Sequence, residues 1–220
     1  MKKETAAREV WSGQSLYTRL FLSVYDCLAL VLYCRFLWNC SSEHMLELYN
    51  QNITANHLDV GVGTGYFLDR CRFPTAKPRL ALMDLNPDCL ERAGKRVARY
   101  NPVKYLRNVL EPIRIDTQKF DSIGIMNLLH CLPGDIRSKG VVFENLKALL
   151  NDGGAIFGST ILTGSVKRNL LATYTLKLSN RIGFMTNLHD DPEGLKQVLD
   201  QHFSRSWVRV VGCVALFWGR

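Results

Sequence analysis

The chain holds seven cysteines among 220 residues, yet it has no C-x-x-C pair and no cysteines grouped with histidines at ligand spacing. An odd number at irregular intervals excludes a disulfide frame or a zinc site and fits free thiols in a reducing compartment. No apolar stretch follows the basic start Met1-Lys2-Lys3-Glu4 within reach, so no secretory leader is expected and a cytoplasmic protein is. Internal repeats and low-complexity linkers are lacking too. One domain over residues 1–220 is therefore the natural reading, with ample chain for a core. A clean membrane span is also missing. Leu20 to Cys40 comes nearest, but Asp26, Arg35 and Asn39 interrupt it, and charge near a bilayer's middle is costly. We read it as a buried or lid helix.

What is present is charge of one sign. The formal balance is +8, which favours an acidic small substrate, nucleic acid or a membrane surface without choosing among them. Lysine and arginine are spread out rather than gathered in one run, so nucleic acid is open but not favoured.

The most informative stretch is His57 to Cys71, H-L-D-V-G-V-G-T-G-Y-F-L-D-R-C. Leu58 and Val60 flank Asp59 in a β-prone run. Gly61, Gly63 and Gly65 follow at alternate positions, and Tyr66-Phe67-Leu68 opens a helical segment. Strand, glycine turn, helix is the setting a nucleotide-binding loop needs. Glycine lets the backbone turn with φ > 0 and lets a ligand approach where a Cβ would block it. The helix beyond should aim unpaired N–H groups at the ligand. A dinucleotide fingerprint wants its third small residue after a two-residue gap. Here Tyr66 occupies that place and the third glycine comes one residue early.

Further strands are expected at Arg79–Asp84, Val103–Leu106, Phe120–Asn127, Ala155–Ser159, Trp207–Val211 and Cys213–Trp218. Gly212 between the last two permits a tight antiparallel hairpin. Helices are expected before the first strand from Ser41, after Asn86-Pro87-Asp88 with Asp88 as the better-placed cap, over Val141–Leu150 until Asn151-Asp152-Gly153-Gly154 ends it, and over Leu195–Phe203. Leu16 to Trp38 carries apolar residues three or four apart, as one or two widely buried helices would. Asp84 closes the second strand about twenty residues past the glycines, where a carboxylate can accept both hydroxyls of a ribose. The bland alternative for it is a helix cap.

The D-V-G-V-G-T-G motif together with Asp84 resembles the class I S-adenosylmethionine-dependent methyltransferases, over Ser41 to Arg220. The resemblance implies a Rossmann-like α/β fold: seven strands, mostly parallel, with an antiparallel C-terminal hairpin and helices on both faces. It implies an N-terminal helical cover over residues 1–40, a core over 41–220 and a variable substrate-covering segment over 160–191. The cofactor implied is S-adenosyl-L-methionine. Asp59 would place its charge near the cofactor's ammonium, and Gly61, Gly63 and Gly65 would pass its amino-acid tail. Asp84 with Leu85 would take the ribose, Asn108 with Val109 the adenine, and Asn127 with Leu128 the wall beside the methyl donor. His130 is the imidazole nearest the reacting centre, and its ordinary pKa would let it accept a proton. Tyr17 and Tyr25 would reach the substrate from the cover. No metal site is expected.

No N-P-P-Y or D-P-P-Y quartet follows the fourth strand, which argues against methylation of adenine or glutamine amide nitrogens. The compact chain with an apolar cover is similar to small-molecule methyltransferases of secondary metabolism. The expected reaction is methyl transfer to a small acceptor, for which the positive charge favours an acidic one, by in-line displacement driven mainly by proximity. An RNA methyltransferase, or a cofactor-binding protein or cyclase on the same fold, stays open, and so does a homodimer.

Overall fold

A computed structural model describes residues 36–220. Of the N-terminal cover expected over residues 1–40, only residues 36–40 fall in that range. Tyr17 and Tyr25 lie outside it.

The apolar runs become strands because each can bury both of its faces. β1 (Asn56–Val60), β2 (Arg79–Asp84) and β4 (Phe120–Met126) are almost wholly buried, whereas β3 (Val103–Leu106) is an exposed edge. With β5 (Leu150–Ile161), β6 (Ser206–Val211) and β7 (Val214–Gly219) they form one sheet in the order β3-β2-β1-β4-β5-β7-β6. β1 lies parallel to both β2 and β4, and β4 parallel to β5. β7 runs antiparallel to both β5 and β6.

Helices cover the two faces. α1 (Ser42–Asn52) starts at Ser41, whose hydroxyl accepts from the Glu43 N–H. α2 (Tyr66–Arg70) follows the glycine loop, and α3 (Pro87–Arg96) follows β2. The α3 cap is Asn86, not Asp88. The Asn86 side chain accepts from the Asp88 N–H, Pro87 takes the first turn, and Asp88 adds negative charge at the helix's positive end. α4 (Val141–Lys147), α5 (Leu170–Arg181) and α6 (Pro192–His202) complete the α-helices of the described residues, α5 capped by Asn169 and α6 by Asp191.

One boundary differs from expectation. The Asn151-Asp152-Gly153-Gly154 turn does not end a helix but lies within β5, and α4 stops at Lys147. Phe120 pairs with Leu150 while Ser122 pairs with Ala155, so those four residues are a bulge between two stretches of one ladder.

Period-two alternation divides the core. Leu58 and Val60 join the cluster with Ile123, Ile125, Phe143 and Leu199. The other face collects Leu37, Tyr49, Leu68, Leu82, Phe157 and Leu216. His57 and Asp59 point to this second face, where His57 stacks on Phe157 at 5.8 Å. Among the described residues no helix is long and apolar enough to cross a membrane.

Candidate functional site

The C-terminal ends of the five parallel strands share one rim, and β1 and β4 sit at its centre. Their crossover connections leave in opposite directions, which opens a crevice at that point. Gly61, Gly63 and Gly65 all have left-handed φ, at 69°, 51° and 73°. A Cβ on Gly61 would lie 2.7 Å from a Leu128 methyl. A Cβ on Gly63 would meet nothing within 4 Å, so this glycine borders open space. Arg96 steadies the loop, donating to the Thr64 carbonyl at 3.0 Å and to its hydroxyl at 3.2 Å. Since α2 is only five residues long, the loop's own amides rather than a long helix supply the polar lining.

Asp84 stands across from this loop at the tip of β2. One oxygen accepts from the Asn86 N–H at 2.8 Å, and the other faces the Gly63 N–H at 3.5 Å. Burial pushes the carboxyl up to about 6, against the pull of the Asn86, Gly63, Leu85 and Val62 amides. The next strand is in register with it: Asp84 pairs with Leu106, and the Arg107 N–H reaches the Asp84 carbonyl. Two residues on, Asn108 folds into a turn of its own. Its oxygen accepts from the Leu110 N–H at 3.1 Å and its amide donates to Glu111 at 3.0 Å. Val109 buries its side chain, and its carbonyl accepts from Asn145.

At the end of β4, Asn127 adopts φ 55°, an uncommon state for a residue with a side chain. Ser159 holds it there, donating to the Asn127 side-chain oxygen at 2.9 Å and accepting from its backbone N–H at 3.2 Å. Leu128, half-buried, lies over Gly61. His130 is 3% exposed, and its Nδ1 accepts from the Ile161 N–H at 3.2 Å. The ring proton therefore sits on Nε2. Burial, and next the Lys139 charge, push this imidazole down to about 3, so it is neutral at ordinary pH.

The structure thus brings Asp59, the three glycines, Asp84, Leu85, Asn108, Val109, Asn127, Leu128 and His130 to one rim. Several neighbours had no legible signal. Lys139 and Asp190, both fully buried, pair at 2.6 Å, and Lys139 also donates to the Thr186 carbonyl. The Thr186 N–H in turn donates to the His130 carbonyl, which fastens the end of the 160–191 segment beside the imidazole. Tyr49 donates to Asp59 at 2.8 Å and contacts His57 at 2.9 Å. A usable signal did exist for that pair: His57 and Asp59 are polar residues that alternate with the apolar Leu58 and Val60 in one strand. Among the described residues, no group of three or more His, Cys, Asp or Glu is placed to hold a metal.

Comparison with known proteins gives the family. A family model described as a methyltransferase domain matches residues 58–156. The chain is 36% identical over 210 residues to demethylluteothin O-methyltransferase of Streptomyces thioluteus, covering 96% of this chain and 91% of that protein. It is 38% identical over 219 residues to methyltransferase aurB of Calcarisporium arbuscula, covering 94% and 95% of the two chains. It is also 37% identical over 207 residues to a physcion biosynthesis cluster O-methyltransferase of Aspergillus chevalieri, covering 93% of each. Among solved structures, the complex of DhpI with SAH superposes with a TM-score of 0.70 at 18% identity and covers 96% of each chain, a likeness of fold.

Proposed function

Given that the chain belongs to the class I S-adenosylmethionine-dependent methyltransferases, we propose that it methylates an acidic hydroxyl, enol or phenol in character, on a small secondary metabolite. The single observation behind the acceptor class is the state of His130. Its Nδ1 lone pair is taken by the Ile161 N–H and its ring stays neutral, so it offers an Nε2–H donor rather than a base. Among the described residues His130 supplies no proton acceptor there, and in this reading the nucleophile arrives ionised or nearly so. The +8 balance favours such an anion. The relatives' names add support, since two of those described above are O-methyltransferases.

The residues present fit the cofactor. Gly63 borders open space, and a partly buried carboxylate with two differently engaged oxygens faces it. When bound, S-adenosylmethionine supplies a methyl group on a positively charged sulfur, which leaves as a neutral thioether. In this reading Asp84 and the Leu85 backbone hold the ribose, the Asn108–Val109 turn borders the adenine, and Asp59 meets the ammonium. Asn127 and Leu128 wall the methyl side, and the His130 Nε2–H orients the acceptor oxygen. Holding nucleophile and methyl carbon in line contributes roughly 7–11 kcal/mol, more than one acid or base usually gives. The 160–191 segment borders the acceptor, and Tyr17 and Tyr25 are candidates for contacting it. The whole of residues 1–220 acts as one cytoplasmic methyltransferase domain.

The test is methyl transfer from labelled cofactor to a panel of hydroxyl acceptors of graded acidity. Turnover should be confined to those with pKa near or below the assay pH. Equal turnover of aliphatic alcohols would show that a base is present and overturn the acceptor class.

A further inference from the structure

A line of polar side chains crosses the otherwise apolar face of the sheet beneath the glycine loop, and no step above uses it. Asp59, at the end of β1, accepts from the Tyr49 hydroxyl at 2.8 Å. A carboxylate can only accept, so the single phenolic proton lies on that bond. The His57 Nε2, 2.9 Å from the same phenol oxygen, must then be the donor to it. His57 Nδ1 is left as the acceptor, and the Ser122 hydroxyl 2.8 Å away donates to it. Ser122 in turn accepts from the Thr54 N–H at 3.1 Å. Every hydrogen in the line points the same way, from the backbone at Thr54 to the Asp59 carboxylate.

The surroundings are built for this line. Tyr49 and His57 are fully buried, and Tyr49 packs edge-on to Phe157 at 5.1 Å and stacked on Phe67 at 6.1 Å. Opposite Asp59 on β4 stands Gly124, where a Cβ would lie 2.9 Å from the Asp59 oxygen and 3.3 Å from His57. A side chain there would displace the carboxylate. Burial and the Asp59 charge keep the Tyr49 phenol from ionising, so it is a permanent donor. One Asp59 oxygen is thereby fixed. The other accepts no hydrogen bond among the described residues, and the side chain retains 9% of its surface at the mouth of the glycine loop.

We infer that Tyr49, His57 and Ser122 form a directed hydrogen-bond relay that fixes one Asp59 oxygen and aims the other at the ammonium of the cofactor's amino-acid tail. Aligned donors polarise one another, so each link strengthens the last. Tyr49 and His57 are positioning residues that act through Asp59. The inference rests on the cofactor reading above and deepens it.

The experiment compares binding of two ligands by calorimetry: S-adenosylhomocysteine, and 5′-methylthioadenosine, which keeps adenine and ribose but lacks the charged tail. Tyr49→Phe preserves the ring packing and removes only the hydroxyl. It should weaken S-adenosylhomocysteine about tenfold, near 1.4 kcal/mol, and leave 5′-methylthioadenosine unchanged. His57→Leu should show the same selective loss, and His57→Gln should recover part of it through its amide N–H. Loss of both ligands in equal measure in Tyr49→Phe would make the line merely structural, and an unchanged ratio would overturn the relay. A glutamine no better than leucine at position 57 would overturn its direction. Failure of the unmodified protein to bind either ligand would instead refute the cofactor reading itself.

Discussion

Asp84 carries opposite consequences for the free and the bound protein. Its folded pKa of about 6 lies above the ordinary 3.8, so the stability it contributes is fully present below 3.8 and is lost as pH rises through 6. Ribose binding wants the ionised form. Cofactor affinity should therefore weaken as pH falls below about 6, approaching tenfold per unit. Asp84→Asn should separate the two effects. At pH 7.5 the free variant should be more stable, by about 1–2 kcal/mol in urea unfolding. Its cofactor affinity should fall at least tenfold by calorimetry. A variant that loses both, or neither, would remove Asp84 from the ribose.

His130 has the reverse sign. Its folded pKa, about 3, lies below the ordinary 6.5, so its share of stability is held above 6.5 and lost as pH falls toward 3. Between pH 7.5 and 5 that loss is about 2 kcal/mol, and denaturant midpoints should record it. In His130→Gln the loss should be distinctly smaller. These residues were legible because strand ends and glycine spacing are local signals. The Tyr49 contacts were not, since they join a helix to β1 through tertiary packing that no local pattern encodes.

Among the elements, the 160–191 segment was the least readable. Its helix α5 buries Ala172 and Leu176 but leaves Leu170 90% exposed, with Leu171, Tyr174 and Leu178 exposed beside it. Apolar spacing alone could not tell the inner stripe from the outer one. Its far end is held by the Lys139–Asp190 pair, in which one Asp190 oxygen has no partner among the described residues. A buried pair with an unmet acceptor contributes little net stability, but losing one partner leaves a bare buried charge. Asp190→Ala should therefore cost about 3–5 kcal/mol, and adding Lys139→Met should restore most of it. Thermal melts of the single and double variants would decide this, and a double variant as unstable as Asp190→Ala would contradict it. The fifth strand was placed too short for a related reason. A turn-rich tetrapeptide reads as an end, whereas the ladder to β4 closes again on both sides of it.

For the whole molecule, the mostly parallel sheet was implied by the family resemblance, and its antiparallel end also by the short break at Gly212. Burial of Leu37 followed from its helical spacing, but the partner of the segment after it did not. Leu37 and Trp38 are buried, and the Trp38 carbonyl accepts from the Cys213 N–H in the final hairpin. That contact joins distant parts of the chain, which no local pattern announces.

The central strands pair across a shorter but still long gap: His57 on β1 meets Ser122 on β4, 65 residues later. Closing so long a loop precedes any reward from the contacts it makes, and folds dominated by such pairings assemble slowly. The crevice between β1 and β4 thus has no existence in a half-folded chain. During that interval the apolar strands are open to one another's copies, so cooler, slower expression should favour recovery of the intact enzyme.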